Sequence, residues 1–84
     1  MEDVLFTARS ITRAQRMDAE LRKRGITAAI IRAPAGLTER GCAYALRLHP
    51  EQMQAALDIL QSTGLAPYQI FVRSGGNVTK EVLP

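Results

Sequence analysis

Twice along this chain a short apolar run gives way to a helix-spaced apolar stripe that closes on a glycine and leads into another apolar run. Residues 3–8, "DVLFTA", are short and apolar enough for a strand. Ser10 follows, and its hydroxyl suits the free amides of a first helical turn. Ala14, Met17 and Leu21 then recur at the helical period. Arg22, Lys23 and Arg24 gather where the helix dipole favours cations, and Gly25 supplies a left-handed stop. Residues 26–33, "ITAAIIRA", are rich in β-branched side chains and read as a second strand, ended by Pro34. The second pass begins at residues 43–48, where Tyr44, Leu46 and Leu48 alternate with Ala45 and Arg47. Pro50 opens a helix at the position where a missing amide costs nothing. Met53, Ala56, Leu57 and Leu60 form its stripe, and Gly64 closes it. Residues 68–73, "YQIFVR", make the fourth strand.

The order β-α-β-β-α-β predicts an α+β, ferredoxin-like sandwich: one antiparallel sheet with both helices on one face. Right-handed crossovers put the first and third strands in its centre. Residues 1–73 are expected to form a single domain. Residues 74–84, "SGGNVTKEVLP", have little core-forming content and are expected to be a flexible C-terminal tail.

The rest of the composition mostly excludes. Eighty-four residues suit one small domain. There is no long apolar run for a membrane span, and the acidic start "MEDVLF" lacks the basic-then-apolar order of a secretory signal. The one cysteine has no partner for an internal disulfide, so a cytoplasmic location is expected. The single histidine, His49, reads as an exposed or helix-capping residue. With no Cys-x-x-Cys, no paired histidines and no carboxylate cluster, no metal site is expected. With no phosphate-loop or dinucleotide glycine pattern, no cofactor is expected either. The chain does not read as a stand-alone enzyme. Its net charge of +3 is a mild excess. Nine arginines offer forks for carboxylate or phosphate. Four aromatic residues make a thin platform for bases, so nucleic acid is not the expected partner.

What remains is Cys42. It stands where a loop with Gly36, Thr38 and Gly41 meets the third strand, and those three residues with Arg47 are the candidate binding positions. Arg40 lies two residues before the thiol, and a nearby cation favours the reactive thiolate; Arg32 and Arg47 are further candidates for that role. Two readings stay open on these grounds. A lone cysteine commonly packs as a small hydrophobe, and Cys42 shares the parity of Tyr44, Leu46 and Leu48. A thiol at a strand's first position beside a long loop is also placed for exchange with another protein.

The run "CAYALRLHPEQMQAALDILQSTGLAPYQIF" resembles the family of small selenium/sulfur carrier-like proteins. Its proline-containing loop, its cysteine and its "Ala-Leu-Arg" strand match Pro34, Cys42 and Ala45-Leu46-Arg47, and the resemblance extends from Val4 to about Val72. Where that family carries Cys-Gly, this chain has Cys42-Ala43, with Gly41 before the cysteine. The resemblance implies a carrier that holds sulfur or selenium on Cys42 as a persulfide or selenopersulfide. It implies a protein donor, such as a cysteine desulfurase, and a protein acceptor. A single thiol suits that role, because a second one nearby would attack the persulfide and release its cargo. The alternative is a non-catalytic interaction or regulatory module, which forms a homodimer or binds a partner through its sheet, with Cys42 incidental.

Overall fold

The computed structural model describes residues 2–34, 43–75 and 77–81. Its elements are β1 (Glu2–Ala8), α1 (Ile11–Lys23), β2 (Ala29–Arg32), β3 (Tyr44–Leu48), α2 (Met53–Ser62), β4 (Ile70–Ser74) and β5 (Asn77–Glu81). The strands form one sheet in the order β2-β3-β1-β4-β5, and every neighbouring pair is antiparallel. The ferredoxin-like arrangement is therefore present, with β1 and β3 in the centre.

The helices start and stop for local reasons. Ser10 Oγ accepts the Arg13 amide at 3.1 Å, which satisfies one of the free donors of α1. At the far end, Gly25 (φ +82°) turns the chain so that the Ile26 N–H reaches the Leu21 carbonyl at 2.9 Å. Gly64 (φ +75°) does the same for α2, with the Leu65 N–H on the Leu60 carbonyl at 2.8 Å. Both are six-to-one glycine caps, and any L side chain in that backbone region is strained. The start of α2 differs from expectation. Pro50–Gln52 form a 3₁₀ turn before α2 begins at Met53, and His49 caps it with no side-chain hydrogen bond.

Val4, Phe6 and Ala8 of β1 and Leu46 and Leu48 of β3 face Ala14, Met17 and Leu21 of α1 and Ala56, Leu57 and Leu60 of α2. This is the main core. The other face of the sheet is also buried at its centre: Leu5, Ala45 and Phe71 form a second cluster, with Ile31 against it. Leu5 and Ala45 are both 0 % exposed. The unbroken run Val4-Leu5-Phe6 is the pattern of a strand covered on both faces rather than one. The C-terminal segment also differs from expectation. It adds β5 to the outer edge of β4, with Ser74 opposite Asn77 and Ile70 opposite Glu81.

Candidate functional site

Cys42, the centre of the sequence-based site, lies outside the described residues, as do Arg40, Gly36, Thr38 and Gly41. The described residues that carry this segment are Pro34 on one side and Ala43 on the other. Here the β2–β3 pairing reaches its last described rung, with the Ala33 N–H on the Ala43 carbonyl at 2.9 Å. One rung inward, Arg32, Tyr44 and Ala8 stand in a row across β2, β3 and β1.

This end of the sheet collects arginine on tyrosine. The Arg32 guanidinium lies 5.8 Å from the centroid of the Tyr44 ring, and Arg9, one residue past β1, lies 4.3 Å above Tyr68. Such stacking is attractive because the ring face carries negative potential. Arg13, in the first turn of α1, donates from Nη2 to the Ala66 carbonyl at 3.2 Å. Arg9 and Arg13 together with Ala66, Pro67 and Tyr68 line a hollow of about 340 Å³. Among the described residues no carboxylate lines it, and the first turn of α1 contains no acidic residue.

The placement of Tyr68 depends on a local irregularity in β4's approach to β1. The Thr7 N–H bonds the Gln69 carbonyl at 2.9 Å, while the Thr7 carbonyl accepts from Tyr68 N–H at 3.0 Å. Two residues thus oppose one, the count of a β-bulge. The Gln69 N–H that the bulge displaces is taken by Thr7 Oγ1 at 2.9 Å, and the same hydroxyl donates to the Gln69 carbonyl at 3.2 Å. A hydroxyl at 0 % exposure is thereby paired both as donor and as acceptor.

Arg32 and Arg47 are the sequence-predicted site residues among those described, and Arg47 stands at the opposite end of the sheet from Arg32. Its register partners are Leu5 and Ala29. It is three residues along β3 from Tyr44, roughly 10 Å in an extended strand. There it borders a hollow of about 440 Å³ with Glu2, Asp3, Ala29 and His49. Asp3 and Arg73, cross-strand partners in β1 and β4, close this end with a two-pronged ion pair: Nε to Oδ1 at 3.0 Å and Nη2 to Oδ2 at 2.8 Å. The Arg73 hydrogen bond, opposed by desolvation and helped by the Arg73 and Arg47 charges, holds the Asp3 carboxyl below its ordinary range. The same pairing raises Arg73.

Arg9 and Arg13 were not among the sequence-based site residues. The signal lay in the topology: once β1 is placed antiparallel beside β3, whatever follows Ala8 must emerge at the end where β3 begins. Among the described residues, no group of three or more metal-ligating side chains comes together, and no helix is long and apolar enough to cross a membrane.

A ferredoxin-like α+β domain with an arginine-lined end at the start of β3 is the class of protein that the fold and the site define. The chain belongs to the family described as "Putative Se/S carrier protein-like", which it matches over residues 3–72. The match begins in β1, includes Cys42 and stops within β4, so β5 falls beyond it. No curated protein matches the chain, and no solved structure does.

Proposed function

We propose that this protein carries sulfur, or selenium, on Cys42 between a protein donor and a protein acceptor. The supporting observation is that a chain of this family has one thiol, joined directly to Ala43 at the end of the sheet where Arg32 sits over Tyr44. A fixed cation favours thiolate over thiol, and the thiolate is the nucleophile. Arg32 and Arg40 supply that charge, and Gly36, Thr38 and Gly41 belong to the segment that meets the partner.

Loading is an exchange without net oxidation. The Cys42 thiolate attacks the outer sulfur of a donor persulfide, and a new S–S bond forms on Cys42. The donor's own S–S bond breaks, and its cysteine leaves as a thiolate. Delivery is the same exchange with the acceptor thiolate as nucleophile and Cys42 as leaving group. A selenium cargo would travel on Cys42 as the selenopersulfide by the same substitution. The protein holds no second cysteine to intercept the cargo.

The test is intact-mass measurement after incubation with glutathione persulfide. The wild type should gain one sulfur atom, dithiothreitol should remove it, and Cys42→Ser should gain none. Iodoacetamide should alkylate native Cys42 faster than free cysteine at neutral pH, and Arg32→Gln should slow that reaction about threefold. If the native protein gains no sulfur and is alkylated only after denaturation, the carrier reading is wrong.

A further inference from the structure

Three described cations make ion pairs, and Arg9, Arg13, Arg16, Arg24, Arg32 and Arg47 make none among the described residues. Arg22 bonds Asp18 at 2.8 Å, Lys23 bonds Glu20 at 2.9 Å, and Arg73 bonds Asp3 at 2.8 Å. Arg9, Arg13 and Arg16 make no ion pair among the described residues, and all three are exposed. They are spaced by four and by three residues, so Arg13 and Arg16 share one face of α1 and Arg9 leads into it. Arg13 and Arg16 repel each other at this helical spacing, and no carboxylate among the described residues pairs with any of the three arginines. Beside them, the hollow lined by Ala66, Pro67 and Tyr68 has no acidic side chain among the described residues. The face is complementary to a surface that brings carboxylates of its own.

We infer that the Arg9–Arg13–Arg16 face docks an acidic surface of the protein that exchanges sulfur with Cys42; the identity of the partner as a sulfur-exchange protein rests on the carrier reading above. The direction of assembly follows from the fold. The face and the Pro34–Ala43 junction lie at the same end of the sheet, since Ala8 and Arg32 flank Tyr44 in one row. A partner held by the arginines is thus held beside the segment that bears the thiol. Bound carboxylates would replace the repulsion along α1 with attraction and would steer the encounter, most strongly at low salt. The observations favour protein over nucleic acid, because base recognition needs open aromatic faces. Arg9 covers Tyr68 and Arg32 covers Tyr44, while Phe6 and Phe71 are buried.

The experiment is a titration of the ¹⁵N-labelled full-length chain with a peptide of alternating glutamate and leucine, followed by amide shifts. Shifts should concentrate at residues 9–16 and 66–68. Arg9→Glu/Arg13→Glu/Arg16→Glu should weaken binding by about tenfold or more. The corresponding triple glutamine variant removes charge without adding repulsion, so it should bind between these two if the glutamate variant fails to fold. Arg24→Glu, at the other end of α1, should change binding by less than about twofold. The inference is overturned if the peptide shifts nothing, if shifts gather at residues 22–24 or at Arg47 instead, or if an oligothymidylate binds residues 9–16 more tightly than the peptide does. The carrier reading is judged separately on the wild type with glutathione persulfide: failure to load Cys42 would remove the sulfur partner while the peptide result stood.

Discussion

The two ends of the sheet treat charge in opposite ways. At one, β1 and β4 bring Asp3 and Arg73 into register, and a two-pronged ion pair neutralises both. At the other, arginines meet tyrosine rings and a backbone carbonyl, with no carboxylate partner among the described residues. The first arrangement satisfies the chain internally. The second leaves net positive charge among the described residues where the Cys42 segment joins the sheet. An internally satisfied end is a structural device, whereas an unneutralised one is available to something outside the chain.

The sharpest test of this contrast begins with what the two ends share. Phe6 lies midway along β1 in the main core at 0 % exposure. Phe6→Ala should cost about 3–5 kcal/mol, and hydrogen exchange should show both ends losing protection together. If one end stays protected, the two do not rest on a common core.

Thr7 tests the arginine-rich end alone. Thr7→Val keeps the shape but leaves the bulged Gln69 N–H without its acceptor, which should cost about 1–3 kcal/mol in chemical denaturation. Thr7→Ser should recover most of it. Equal losses in both variants would mean that the methyl group, not the hydroxyl, is the stabilising part.

Asp3 tests the paired end through pH. Its folded pKa is depressed, chiefly by the Arg73 hydrogen bond. The pair's contribution is therefore complete above the unfolded carboxyl value of about 3.9 and is lost as pH falls through the lower folded value. Asp3→Asn should lose about 1 kcal/mol at neutral pH, because the pair is only partly buried. The gap to wild type should close in acid. A gap that persists below about pH 2 would show that something other than the ionised pair is at stake.

Arg9→Gln should have the smallest effect, about 0.5 kcal/mol for an exposed stack on Tyr68. That loss should be flat in pH across the range in which Asp3→Asn changes, since the stack is on a neutral ring and not on a carboxylate. A pH-dependent loss at Arg9 would reveal a carboxylate partner and erase the difference between the ends.

Much of this was legible in the sequence, for local reasons. Ser10, Gly25 and Gly64 act within one turn of their own helices, so their cap roles could be assigned from residue type and spacing. The alternation from Tyr44 to Leu48 placed Tyr44 on the helix side with Leu46 and Leu48, as found. The segment after Ser74 was harder. Its glycine pair is a hairpin signal, but the following "NVTKE" has few apolar residues, and its pairing depends on the β4 edge it meets. The burial of Leu5 and Ala45 on the second face was also hidden, because a two-residue period separates faces without saying what covers each.

The sequence by itself determined the order of the elements from β1 to β4, the caps of α1, the glycine stop of α2 and the uniqueness of the thiol, because caps, stripes and counts are properties of neighbouring residues. Tertiary structure decided which charges meet. Asp3 and Arg73 are far apart along the chain and adjacent in register. Arg47, close to Cys42 in sequence, stands instead beside Asp3 and His49. Arg9 and Arg32, separated by the whole of α1, emerge at one end of the sheet because β1 and β2 both run towards the start of β3. Coulomb's law acts through space, and only the strand order turns separation along the chain into distance.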